Sequence, residues 1–146
     1  MLQLFYLGGK IMCIFCKIIN KEIPSYTIYE NDFVTCFLDI SQATKGHTLI
    51  VPKKHVQDIF RLEKKEAEEI MKAAVVVANV LKEKLGTKDI NLLNNSGQLA
   101  GQTVMHFHLH VLPRYENDEI DFHQVDHEPN FLELDKLCLL YTSDAA

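Results

Sequence analysis

The chain has no tryptophan, and its 146 residues include only four cysteines, four prolines and no run of lysine or arginine longer than a pair. Each scarcity excludes something. Four cysteines are too few for a disulfide scaffold in a chain of this size. A formal net charge of -5 and a pI near 5.8, without a basic run, argue against nucleic acid or an anionic membrane as partner. No apolar stretch approaches the roughly 20 residues that span a bilayer, and Met1 to Ile11 lacks the charged start and apolar core of a secretory signal. No membrane association is expected, and the location expected is the cytoplasm. A hydrophobic content of 47% is enough for one core in one domain.

Against this ordinary background one stretch stands out, Met105-His-Phe-His-Leu-His-Val111, with histidine at every second place and an apolar residue at every place between. Strict alternation predicts a strand with one imidazole face and one core face. His106 and His110 would lie roughly 13 Å apart along it, too far to share one zinc ion with bonds of about 2 Å. At least one of the three must therefore have another task. Neutral imidazole is a good nucleophile toward phosphorus or acyl carbon near neutral pH, and the central His108 has a histidine on each side to assist it. The loop leading in, Asn95 to Thr103, contains what a phosphate needs: Gly97 and Gly101 for close backbone approach, and Asn95, Gln102 and Thr103 as side-chain donors.

The rest of the chain supplies a frame for that strand. Apolar spacing predicts a short helix over Ile14 to Ile23, stopped by Pro24. Thr27 to Glu30 and Phe33 to Asp39 read as a hairpin around Asn31-Asp32, and His47 to Pro52 as a third strand. Ala67, Ile70, Met71, Ala74, Ala78, Leu81 and Leu85 repeat at helical spacing, with Gly86 closing the helix. Val75 to Val77 widen its apolar arc beyond one sheet contact, which a partner subunit or a deep core would explain. Ile90 to Asn94 is a fourth strand and the histidine stretch a fifth. Short connections throughout predict an α+β domain, a five-stranded antiparallel sheet with two helices. Its expected limits are 12–115. Residues 1–11 read as an extension before a true start at Met12, since Gly8 to Met12 is what a translated ribosome-binding site would give. Residues 116–138 form an acidic tail with solvated His123 and His127, and 139–146, lacking periodicity or caps, resemble translated cloning adaptor.

His106-Phe-His108-Leu-His110-Val-Leu resembles the His-x-His-x-His signature of the histidine triad (HIT) nucleotide hydrolases and transferases. Phe15 to Pro24, Asp39-Ile-Ser41, Gly46 to His55 and Gly101 to Val104 are similar to its Hint branch, so the likeness runs from Cys13 to about Arg114. The resemblance implies that His108 attacks the α-phosphorus of a nucleotide conjugate to give a nucleotidyl-histidine that water hydrolyses. His110 would contact phosphate and assist the leaving group, and His47 would support them. Asp39 would grip the ribose hydroxyls as a two-acceptor carboxylate. Asn95, Gly101, Gln102 and Thr103 would cradle phosphate, and Ile14, Phe15, Ile18 and Phe37 would form an apolar slot for a base, purine being favoured. Related nucleotidyl transferases carry glutamine where His110 stands, so histidine there favours hydrolysis. The family is dimeric, with the two sheets continuous across the long helix and last strand.

Cys13 and Cys16 add a second feature. Two thiolates and two imidazoles make a tetrahedral zinc set, and the spacing of this pair to His55 and His106 is similar to zinc sites in some relatives. One structural zinc on Cys13, Cys16, His55 and His106 is therefore expected, and none is needed for the chemical step. A redox pair at a helix start is the alternative for the cysteines. The rival functions are a dinucleoside polyphosphate hydrolase of the Fhit type and a non-catalytic zinc-stapled nucleotide-binding adaptor. A metal-dependent hydrolase is disfavoured, because Asp and Glu are absent from the loop before the triad.

Overall fold

The computed structural model describes residues 6–7, 10–11 and 13–143, so the expected start at Met12 lies outside the described residues. Before the domain, Tyr6–Leu7 pairs with Lys10–Ile11 in a two-residue ladder. The domain itself is a five-stranded antiparallel sheet of β1 (Thr27–Glu30), β2 (Val34–Leu38), β3 (Thr48–Pro52), β4 (Asp89–Leu93) and β5 (Leu109–Arg114), in the order β1-β2-β3-β5-β4. It carries helix α1 (Ile14–Ile19) and helix α2 (Lys64–Leu85), as the α+β reading expects. Among the described residues no helix is long and apolar enough to cross a membrane.

The two helices cover opposite faces of the sheet, which follows from the side-chain alternation of its strands. On β3, Ile50 joins Val34, Cys36, Phe107 and Val111 in a cluster closed by Ile70, Ala73, Ala74, Val77 and Leu81 of α2. Its neighbours Leu49 and Val51 point the other way, to Phe37 and to Phe15 of α1. With both faces occupied, β2 and β3 are buried along nearly their whole length, Thr35 and Thr48 included. Gly46, just before β3, is required by both its backbone and its surroundings. Its φ is +91°, and a Cβ there would sit 2.6 Å from Leu85 Cδ1.

Several boundaries differ from expectation for local reasons. Helix α1 stops at Ile19 rather than Ile23, because the capping Asn20 amide turns back to Cys16 and Ile18 and Lys21 adopts a left-handed φ of 61°. The hairpin turn is an Asx turn in which Asn31 Oδ1 accepts from the amides of Phe33 and Val34, so β2 begins one residue late. Helix α2 begins a turn before Ala67, and Val77 is buried while Met71, Val75, Val76 and Val80 face outward. A third helix, α3 (Phe131–Thr142), spans the segment expected to lack structure. Asn130 caps it by accepting from the Glu133 amide, a capping signal that the apolar, non-periodic sequence beyond it obscured. No residue of α3 is buried.

Candidate active site

Ladder hydrogen bonds in the histidine stretch begin only at Leu109, because earlier backbone groups are taken elsewhere. The Phe107 amide donates to the Val56 carbonyl at 2.6 Å, the His108 carbonyl accepts from Asn94 Nδ2 at 3.0 Å, and the His106 carbonyl accepts from His108 Nδ1 at 2.7 Å. Alternation survives the bend. Phe107 and Val111 enter the α2 core, while the imidazoles lie on the other side, with His106 and His108 buried and His110 half-buried instead of facing water.

These bonds fix the proton positions. A carbonyl can only accept, so His108 Nδ1 carries the hydrogen and Nε2 keeps its lone pair. Burial lowers the His108 pKa, which favours this neutral form over the imidazolium, although its bond to the His106 carbonyl and the Asp39 charge pull the other way. The Ala43 amide donates to His47 Nδ1 at 3.2 Å, so His47 carries its hydrogen on Nε2 and donates it to His110 Nδ1 at 2.9 Å. His110 is left with an Nε2–H donor. Burial, together with His108 and His47, holds His110 down to about 4. Asp39 is also buried in part, which raises its pKa, but the Ser41 hydroxyl and amide and the neighbouring His47 and His110 outweigh this and hold the carboxyl ionised.

A cavity of about 150 Å³ opens beside these groups, lined by His108, His110, Asp39 and Thr103 on its polar side. Ile14, Phe15, Ile18, Phe37 and Leu49 form its apolar side. Phe15 meets the His108 ring edge-on, with centroids 5.1 Å apart. The cavity thus places an unprotonated ring nitrogen, an N–H donor, a carboxylate and an apolar slot side by side. A larger and shallower depression of about 420 Å³, between residues 42–45 and 115–119, contains no histidine or cysteine and offers no comparable chemistry. Asp39, His47 and His110 converge closely enough to suggest a second metal group. The Ala43 bond argues against that, since His47 would have to be an imidazolate to ligate through Nε2.

Cys13, Cys16, His55 and His106 converge at the far side of α1. Their donor atoms lie within 4.8 Å of one another. Cys13 Sγ is 3.3 Å and Cys16 Sγ 3.5 Å from His106 Nδ1, Cys16 Sγ is 3.2 Å from His55 Nδ1, and the two Nδ1 atoms are 3.2 Å apart. A tetrahedral zinc would set sulfur-to-nitrogen separations of about 3.6 Å and nitrogen-to-nitrogen of about 3.3 Å. The donor set fits. His106 is also oriented as a ligand: its Nε2–H donates to the Pro52 carbonyl at 2.8 Å, leaving Nδ1 free of hydrogen. Without a cation the Cys16 thiol is pushed up to about 12 by burial and by its neighbour Cys13. A bound divalent ion reverses that preference.

Residues 20–117 match the HIT domain model. The chain is 45% identical over 103 residues to the "Protein hit" of Bacillus subtilis, covering 70% of this chain and 71% of that one. The chain belongs to the HIT family. It is also similar to the adenylylsulfatase HINT3 of Arabidopsis thaliana, at 36% identity over 73% of this chain and 54% of that protein. The adenosine 5'-monophosphoramidase HNT1 of Saccharomyces cerevisiae is 37% identical over 70% of this chain and 62% of that protein. Among solved structures, a HIT family protein from Bacillus anthracis superposes with a TM-score of 0.86 at 44% identity, covering 92% and 97% of the two chains. A zinc-bound histidine triad family protein from Mycobacterium smegmatis gives 0.71 at 31%, covering 90% and 97%.

Within this HIT domain the expected phosphate loop is only partly a cradle. Thr103 reaches the cavity. Gln102 does not act as expected: it is 5% exposed, and its amide accepts from the Gly97 N–H and donates to the Gln57 and Val104 carbonyls. It holds the loop together and has no donor left for phosphate. Asn95 is half-buried and lies beside Gly101, whose φ of 86° ends the tight turn over Gln98–Ala100, and neither lines the cavity. His47 stands behind His110, one hydrogen bond from the cavity. Sequence reasoning missed Asn94, read as the end of a strand, whose side chain anchors the His108 carbonyl and accepts from Ser96. The Asn-x-Ser spacing was the available signal. It also missed Leu49, Val104 and the Pro24–Tyr26 wall of the cavity.

Proposed function

We propose that this HIT protein hydrolyses nucleoside phosphoramidates or related nucleotidyl conjugates at the α-phosphate, through a transient nucleotidyl-histidine on His108. Relatives named adenylylsulfatase and adenosine 5'-monophosphoramidase support a nucleotide hydrolase of this general kind. The observation that carries the reading is the 2.7 Å bond from His108 Nδ1 to the His106 carbonyl, which leaves the opposite nitrogen as a neutral nucleophile beside the cavity that Asp39 and Phe15 also line.

In this reading His108 Nε2 attacks phosphorus and the phosphorus–nitrogen bond breaks. The departing amine takes the His110 Nε2 proton as phosphorylated His108 becomes cationic, and that charge together with the His47 Nε2–H donated to His110 Nδ1 offsets the negative charge left on the His110 ring until water returns the proton. Water then attacks the adduct, giving its proton to His110 and releasing the nucleoside monophosphate. Asp39 binds the ribose hydroxyls, Thr103 donates to phosphate, and Ile14, Phe15, Ile18 and Phe37 enclose a purine. Cys13, Cys16, His55 and His106 would hold a zinc that fixes α1 in place and takes no part in bond breaking. The outward residues Met71, Val75, Val76 and Val80 of α2, with Leu92 of β4, fit a homodimer in which two sheets run on from one another.

Mass spectrometry of protein mixed with adenosine phosphoramidate is expected to show a nucleotidyl adduct on His108. His108→Ala is expected to abolish both adduct and turnover. Turnover unchanged in that variant would refute the enzyme reading in favour of an adaptor. Faster turnover of a diadenosine polyphosphate than of the phosphoramidate would instead assign the other hydrolase type. Metal analysis should return one zinc per chain, and light scattering a dimer.

A further inference from the structure

The polar contacts from Cys13 and α1 to the two histidines of the metal group run through two sulfur atoms. Cys13 Sγ reaches His106, and Cys16 Sγ reaches both His55 and His106. The helix they anchor is one wall of the cavity: Ile14, Phe15 and Ile18 line it, and Phe15, between the two cysteines, packs edge-on against both His106 and His108. His106 in turn offers its carbonyl to the nucleophile. Whatever loosens the sulfurs therefore loosens the base slot and the nucleophile's support together.

The same two sulfurs are neighbours on one helical turn. Cys13 caps α1 and Cys16 lies in its first turn, with the Cys16 amide 3.5 Å from Cys13 Sγ. Residues three apart on a helix have Cβ atoms about 5–6 Å apart, and a disulfide asks for about 3.5–4.5 Å, so closing one needs only a local adjustment of that turn. Both thiols are partly exposed, whereas Cys36 is buried and Cys138 lies far along the chain on α3.

Building on the nucleotide-hydrolase reading, we infer that Cys13 and Cys16 form a redox latch on the nucleotide-binding wall. Reduced, the pair ties α1 to His55 and His106, directly or through zinc. Oxidised to a Cys13–Cys16 disulfide, it releases both histidines at once and weakens nucleotide binding. The oxidant is a small-molecule disulfide. One thiolate attacks it and expels a first thiol, then the second thiolate displaces the remaining thiol and closes the protein disulfide. Two cysteines are oxidised and one disulfide is reduced to two thiols, the departing sulfurs taking up the two cysteine protons, or two protons from water where zinc had held the thiolates, and any zinc leaves for solvent. The core on the opposite face, where Val34, Ile50 and Val111 pack against Ile70 and Val77 of α2, is untouched, so the domain stays folded while the wall loosens.

The test uses the full chain carrying Cys138→Ser, compared in two forms: reduced and zinc-supplied, or oxidised with glutathione disulfide. Peptide mapping identifies the Cys13–Cys16 bond, and AMP is titrated by calorimetry. The oxidised form is expected to bind AMP at least about tenfold more weakly, with recovery on adding dithiothreitol and zinc. The latch is overturned if the disulfide does not form under excess oxidant, or if it forms and AMP binding is unchanged. Reduced protein that neither binds AMP nor turns over the phosphoramidate refutes the hydrolase reading instead. In that event the His108 imidazole nitrogen resonances still decide the latch: a shift between the two forms supports it, and coincident resonances overturn it.

Discussion

Replacing Gln102 by alanine separates two roles that one residue could have in a phosphate loop. The side chain is buried and makes three hydrogen bonds, from the Gly97 N–H at 2.8 Å, to the Gln57 carbonyl at 2.7 Å and to the Val104 carbonyl at 3.0 Å. At about 1 kcal/mol net for each, and somewhat more where a buried partner finds no water, the loss is about 3–5 kcal/mol. That is a large part of the 5–15 kcal/mol that stabilises a typical domain, and corresponds to a fall in melting temperature of about 10 °C. Urea unfolding followed by circular dichroism, with both arms of the curve fitted, measures it. Gln102→Glu makes a useful companion, since it keeps an acceptor for Gly97 but turns negative oxygen toward two carbonyls, and should be no more stable than the alanine variant. A phosphate donor would behave oppositely, with KM raised and stability unchanged. Gln102→Ala within about 1 kcal/mol of the parent chain would refute the assignment of this side chain to the loop scaffold.

Three further outcomes follow from the same geometry. Asp39→Asn removes charge-assisted acceptors from the proposed ribose site, and AMP affinity by calorimetry should fall about 10- to 100-fold while the variant remains folded. Metal-free protein should lose stability below neutrality. Burial lowers His106 and His110 to about 4 from 6.5, so the unfolded chain takes up protons first. Their contribution is complete above about pH 6.5 and is lost as pH falls toward about 4, by up to 1.4 kcal/mol per unit for each, as urea titrations at several pH values would show. Gly46→Ala forces a side chain to a φ of +91° and into Leu85, and should cost about 1–3 kcal/mol by the same unfolding assay.

Local chemistry made much of this molecule legible in the sequence. Period-two and helical spacings located the five strands, α1 and α2, because each side chain's burial is set by its own place on a strand or helix. Resemblance to the HIT pattern points to Cys13, Cys16, His55 and His106 as a donor set and to Ile14, Phe15, Ile18 and Phe37 as an apolar slot, and the fold brings each group together. Tertiary structure decided the rest, because hydrogen-bond partners distant in the chain cannot be read from spacing. The Val56 carbonyl delays the ladder until Leu109, and the Gln57 carbonyl, 45 residues from Gln102, turns an expected phosphate donor inward. Which nitrogen of His47, His108 and His110 bears a proton was settled by Ala43 and the His106 carbonyl. The sequence by itself determined which chemical groups are present and on which face each stands. Only the fold decided which of them still have a free lone pair or hydrogen, since that depends on what every neighbour in space has already claimed.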